Sequence, residues 1–492
     1  MRFAFLFAVA AALPLTIAAQ SQPEKPTPEN PARDKPRDPV RDLADFAMAA
    51  PPELAADLLI KIATSPKATD KALKIEWLER AFALAPGAHF KLRRSPGFGR
   101  AAFNDTDAGA MVAATDAEID TVSLQSRIVQ AMLRLDRAKA MELFRSMPAL
   151  AVPPLTCKDA TGYNVATYYD LIRAVYQTGF TEQERKDGKD VQLLESVIAQ
   201  IDSPFELTPA ANMLANMSLP NDVFSESVNR YELAIGRLQP DPRSFGLTVF
   251  PVFAQNSMIE AQRAYIVAKL GGARCGDDVA SEPHGKEIEH GIDNFNQLLD
   301  QFRTAHPSVA LITADERKPS RVDDKMDLFE YWQTARTRKL LTDLQALRGG
   351  TGQPQASGQT ADQRGTPQWD ARVRDCLKNL EDWKSSHDES ETNYFHMSSE
   401  LYSALIQLIP AGQLRSEVLR SDLAFLRQSS LERENPAEWL KEVNQLIRSN
   451  PNDADRGQNR NEIRDEIKAS GDAVMSLYID VAALSPPSAG PR

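Results

Sequence analysis

Apolar positions recur at spacings of three and four along most of this chain, which is the signature of helices that bury one face. In Pro51 to Ser65, Leu54, Leu58, Leu59 and Ile62 share a face. In Asp70 to Ala85, Leu73, Trp77, Leu78, Ala81 and Phe82 do the same, and Pro86-Gly87 stops the run. A second pair runs through Val122, Ile128, Met132 and Leu135, then through Ala138, Met141, Phe144 and Met147 to Pro148. Further stripes are Phe224, Val228, Tyr231, Ile235 and Leu238, then Leu419, Leu423 and Leu426, and finally Trp439, Val443, Leu446 and Ile447. The segment from Trp369 to Trp383 is also amphipathic.

Helix starts are legible too. Thr115-Asp116-Ala117-Glu118, Thr181-Glu182-Gln183-Glu184 and Ser386-His387-Asp388-Glu389 have the spacing with which a hydroxyl and a carboxyl satisfy free amides at a helix start. Asn435-Pro436-Ala437-Glu438 places a cap, a first-turn proline and a third-position acid in their favoured order. No segment shows sustained strand alternation, and apolar 245–253, interrupted by Gly246 and Pro251, reads as a buried loop. The expectation is an all-α fold of stacked antiparallel helix pairs, α-solenoid-like, with a smaller C-terminal helical unit.

Short helix pairs of this kind resemble tetratricopeptide-like solenoids, and the first pair keeps a small residue, Ala81, and a closing Pro86 at that motif's separation. Lys74 and Ser65 stand where the family places a small residue and an aromatic, and no period of about 34 residues recurs. The resemblance implies stacked α-hairpins and names no ligand.

The ends and joints differ from this pattern. Met1-Arg2 is a basic start, Phe3 to Ile17 is apolar with Pro14 inside it, and Thr16 to Gln20 supplies small residues for cleavage. This is the form of a secretory signal peptide, too short to span a bilayer, and it predicts export to the periplasm or the extracellular space. The expected organisation is a signal peptide at 1–19, a Pro-rich disordered tether at 20–40, and a helical repeat-like domain at 41–348. A Gly/Gln-rich linker follows at 349–367, then a C-terminal helical unit at 368–484 and a disordered tail at 485–492.

The formal charge of -11 and pI near 5.3 set this chain against a phosphate backbone, so nucleic acid is not an expected partner. No later run of about 18 apolar residues predicts a transmembrane segment in the mature chain. Three cysteines in 492 residues make no disulfide framework or zinc knuckle. Cys157 and Cys275 both fall in breaks after helices, where a bridge between them is sterically open, whereas Cys376 lies inside an amphipathic helix and reads as a small apolar residue.

Candidate chemistry is sparse. His284 and His290 flank Glu287 and Glu289 near Cys275, Asp277 and Asp278, but a spacing of six turns the histidines apart, so they are weak metal candidates. Lys91, Arg93, Arg94 and Arg100 crowd a turn-rich loop with Phe90 and Phe98 and form a possible anion-binding loop. Glu195-Ser196 carries a faint likeness to the Glu-Ser of lytic transglycosylases, without the rest of that motif. Gly349 to Gly358 lacks the Gly-Lys of a phosphate loop. No catalytic residue and no cofactor are expected. The reading is an exported, non-catalytic helical scaffold that binds a protein or an extended polymer. The alternative is a secreted or periplasmic hydrolase acting on cell-wall or polysaccharide material through carboxylates that sequence does not single out.

Overall fold

The computed structural model describes residues 38–96, 117–154, 161–238, 273–275, 295–313, 320–322, 335–349, 363–384, 391–429, 436–448 and 456–484, with single positions between 256 and 316. The first helix among the described residues, α1, spans Pro39–Ala47, with Val40 already buried. Pro39 and Val40, the last two positions of the segment assigned to the tether, are therefore helical. α2 (Pro52–Thr64) and α3 (Lys71–Leu84) follow. Asp70 caps α3 by accepting from the amides of Ala72 and Leu73 at 2.8 and 3.2 Å. A 3-10 turn at Ala85–Gly87 brings Gly87 back to the start of α2, where a Cβ would stand 3.0 Å from the Cβ of Pro52. The two helices are thus antiparallel, as the sequence pattern implies.

The second pair is α4 (Thr121–Leu133) and α5 (Arg137–Ser146). Its start differs from expectation. Asp120 is the cap, accepting from Ser123 N at 3.0 Å, and Glu118 instead adopts a left-handed φ of 55°. Next come α6 (Ala166–Thr178), the short α7 (Glu182–Lys186), α8 (Lys189–Ala199), α9 (Pro204–Ala215) and α10 (Asn221–Arg237). At α7 the predicted box forms in full: Thr181 Oγ1 accepts from Glu184 N, and Glu184 Oε2 accepts from Thr181 N. Later helices are α11 (Ala335–Gly349), α12 (Pro367–Glu381), α13 (Glu391–Leu408), α14 (Gln413–Gln428), α15 (Pro436–Arg448), α16 (Arg456–Ser470) and α17 (Ala473–Ala482).

The fold is all-α, with two small exceptions among the described residues. Arg93–Pro96 (β1) pairs antiparallel with Thr161–Asn164 (β2), and Ala273–Cys275 (β3) pairs parallel with Ser320–Val322 (β4). β1 lies within the stretch expected to be a turn-rich loop. Its partner is almost seventy positions away, so no local alternation announces it.

Among the described residues two hydrophobic clusters make the core, and α6 is the wall between them. Leu171 and Val175 face a cluster built from α1 to α5 and from α11 to α17. Tyr169, Ile172 and Tyr176 face a second cluster with α8, α9, α10 and Phe295. These are two stripes at helical spacing, so one helix serves both sides. α17 packs on α1 and α2, and residues Pro39–Arg492 form one compact unit. Helices on both sides of the expected linker thus share a core. Residues 350–362 of that linker lie outside the described set.

Candidate functional site

The most chemically distinctive corner lies where α9 begins. Ser203 precedes Pro204 at the first helical position and accepts from Phe205 N at 3.4 Å. Glu206 reaches back, and its Oε1 accepts from the amides of Asp202 and Ser203, both at 3.0 Å. From α6, Tyr169 Oη donates to Glu206 Oε2 at 2.9 Å. From α10, Tyr231 Oη donates to the carbonyl of Leu207 at 2.9 Å. Aromatic edges close the corner: Tyr163 meets Phe205 at 5.7 Å, and Tyr168 meets Tyr169 at 5.5 Å, both near perpendicular.

Glu206 is 4% exposed. Burial pushes its carboxyl up to about 7, the amides of Asp202 and Ser203 and the Tyr169 phenol pull it down, and the Asp202 carboxyl pushes it up again. Burial, followed by the charge of Glu206, drives Tyr169 well above the usual phenol range and Tyr168 up to about 12. The chemistry here is that of a carboxyl that exchanges its proton near neutrality, held away from solvent. Sequence reasoning passed over it, although Ser203-Pro204-Phe205-Glu206 has the same box spacing recognised at Thr181. The tyrosines leave no such signal, because they arrive from other helices.

A second polar centre is more deeply buried. Asp57 of α2 accepts from Arg127 at 2.8 Å, from Lys61 at 2.6 Å and from the Tyr478 hydroxyl at 3.1 Å. Burial pushes Asp57 up, but Lys61 and Arg127 outweigh it and hold the carboxyl below its ordinary value. Every oxygen of that carboxyl has a partner, so the group is a fastening between helices.

Open space is found elsewhere. A groove of about 360 Å³ runs between α14 and α16, with Leu423, Ala424 and Ala469 along it. Arg420 closes one side by a two-bond pair with Glu466, both bonds at 2.9 Å, and Arg427 stands exposed beside it. One turn earlier on α14, Ser416 Oγ donates to Glu462 at 2.7 Å, which fixes the register of the two helices.

The expected anion-binding loop is distributed differently. Lys91 Nζ donates to Pro86 O at 2.6 Å, Arg93 pairs with Glu118 at 3.0 Å, and the Arg94 guanidinium sits 4.3 Å from the Tyr163 ring centre. These three cations face three different partners within the protein; Arg100 lies outside the described residues. His284, His290 and Cys157 also lie outside them, and Cys275 is described as the last residue of β3. Cys376 is a free, buried thiol, as its helical setting implied. Glu195 pairs with Arg230 of α10 at 3.3 Å, while Ser196 Oγ accepts from Gln200, so the two side chains are turned to different neighbours.

Among the described residues no group of three or more His, Cys, Asp or Glu is placed to hold a metal ion, and no helix is long and apolar enough to cross a membrane. Comparison with protein-family models, with curated proteins and with solved structures finds no match to this chain.

Proposed function

We propose that this chain is an exported helical scaffold that binds a protein or an extended polymer, and that contact is made along the α14–α16 groove. The observation that carries this reading is the form of the groove: exposed Ala424 and Ala469 lie over the buried Leu423, bordered by the Arg420–Glu466 pair and by Arg427. Apolar floors with charged edges are the usual anatomy of recognition surfaces. Export is supported by the basic, apolar and small-residue succession of the first twenty positions. The acidic balance speaks against nucleic acid as the partner.

The hydrolase alternative draws on Glu206, whose carboxyl is pushed up beside that of Asp202. Its burial and its bonds to Tyr169, Asp202 and Ser203 favour a structural part for it.

Photo-crosslinking in the native envelope fraction tests the reading. A photoreactive residue at Ala424 is expected to give a discrete adduct, and the same residue at Lys71 on α3 is expected to give none. Adduct patterns that do not differ between the two positions refute the groove as the contact. Turnover of polysaccharide that is abolished in Glu206→Gln supports the hydrolase instead.

A further inference from the structure

Three helices near the C-terminus enclose a polar spot inside the first hydrophobic cluster. α13 packs on α14 and on α15, and each of the three buries oxygen-bearing side chains. Asp422 of α14 and Glu442 of α15 are both 3% exposed, although they stand on apolar stripes beside Leu419 and Leu426 and beside Trp439 and Val443. Trp439 Nε1 donates to the carbonyl of Leu426 at 3.3 Å, so the first turn of α15 lies against the last turn of α14. One turn further along α15 is Glu442, and one turn back along α14 is Asp422, which brings the two carboxyls opposite each other. Phe425, in the turn after Asp422, stacks on Phe395 of α13 at 5.4 Å and meets Tyr402 at 5.7 Å. Ser398 and Ser399 lie between those two rings of α13, one on either side of the line that joins them. Both are buried, and among the described residues neither hydroxyl has a hydrogen-bond partner.

Two carboxyls buried face to face are costly unless a positive charge or a shared proton stands between them. Burial, and then the charge of Glu442, pushes the Asp422 carboxyl well above its usual range. Lys441 pairs with Glu442 at 3.3 Å, and Arg415 is buried two turns before Asp422 on α14. The two hydroxyls decide between the remaining options. A carboxyl pair that shares a proton has no use for idle serine oxygens, whereas a hard cation takes carboxylate and hydroxyl oxygens together.

We propose that Asp422, Glu442, Ser398 and Ser399 form a calcium site that ties α13, α14 and α15 together. Two carboxylates, each able to bind through both oxygens, and two hydroxyls offer up to about six oxygens, a number calcium accepts. Zinc favours nitrogen and sulfur, and magnesium keeps several of its waters, so neither suits a dry set of oxygens as well. The site has a consequence for the outer face of α14. Asp422 directly precedes Leu423 and Ala424 of the α14–α16 groove, so bound calcium holds in place the helix that forms one groove wall. The site stands whatever that groove binds.

The test uses full-length protein stripped with a chelator and exchanged into metal-free buffer. Calcium chloride is expected to raise its melting temperature, because the ion binds folded chain and not unfolded chain. Isothermal titration is expected to find a single class of site. Asp422→Asn removes a charged ligand and should weaken calcium binding by about tenfold or more. Ser398→Ala removes a neutral ligand without changing any charge, should weaken binding by a smaller factor, and keeps the test open if Asp422→Asn does not fold. Asp375→Asn, at an exposed position of α12, should leave binding unchanged. A wild-type melting temperature that does not respond to calcium overturns the proposal. So does a response that Asp422→Asn and Ser398→Ala both keep in full.

Discussion

Tyr478 donates its phenol to Asp57 Oδ2 at 3.1 Å across 421 positions of sequence, joining the last described helix to the second. Around that bond the contact is continuous. Ser65 Oγ donates to Leu484 O at 3.1 Å, Lys67 Nζ donates to Ala483 O at 2.9 Å, and Lys61 lies over the Tyr478 ring at 4.8 Å. Two carbonyls just past the end of α17, those of Ala483 and Leu484, are thus satisfied by the loop after α2. Asp57, Arg127 and Tyr478 come from three helices, so one buried carboxylate holds α2, α4 and α17 together.

Removing that carboxylate leaves the half-buried Arg127 without its ion pair. Asp57→Ala is expected to cost up to about 3 kcal/mol in denaturant unfolding, because a half-buried guanidinium loses its principal partner and the phenol of Tyr478 loses its acceptor. Tyr478→Phe removes one hydrogen bond and should cost about 1–2 kcal/mol. The double variant should be less destabilised than the sum of the two, since both act on one network. Asp57 is held below its ordinary value, so its contribution is present above about pH 4 and disappears as pH falls through the lower folded value. Acid titration of Asp57→Asn against wild type should therefore converge at low pH. A gap that persists there contradicts the assignment.

Gly179 ends α6 in a space with no room for a side chain. A Cβ would stand 2.6 Å from Met141 Sδ and 2.7 Å from the carbonyl of Val175. Gly179→Ala is expected to destabilise by about 1–3 kcal/mol. The methionine can yield and the carbonyl cannot, so adding Met141→Ala should not restore the loss. Full recovery in that double variant would locate the clash on the sulfur alone.

Cys376 is buried in α12, and burial pushes its thiol up to about 11. At about pH 8 native protein should alkylate there far more slowly than unfolded protein, because the thiolate is both scarce and covered. Rapid native labelling at Cys376 counts against this packing. The same peptide map, run without reductant, tests the expected Cys157–Cys275 bridge. A cross-linked peptide supports it, and two alkylated thiols at those positions exclude it.

Export predicts where the mature chain begins. N-terminal sequencing of protein recovered from the envelope or the medium should start at Ala19 or Gln20. Full-length protein found solely in the cytosol would end the prediction.

Local spacing carried the helices because each buries a stripe written in its own residues. Leu54, Leu58 and Ile62 of α2, and Leu419, Leu423 and Leu426 of α14, are buried as the pattern requires. The Thr181–Glu184 box also forms, since cap and acid lie within one turn. At α4 the start differs from the box expected at Thr115–Glu118: Asp120 is the cap. Pairing was decided by the tertiary structure. Nothing near Arg93 marks Asn164 as its partner, and nothing near Asp57 marks Arg127 or Tyr478. Glu206 shows the division within one residue. Its box with Ser203 is a sequence motif, but its proton affinity depends on burial by α6 and α10 and on Tyr169, which the chain places thirty-seven positions away. A carboxyl's charge state is set by the dielectric and the donors around it, and those exist once the helices have packed.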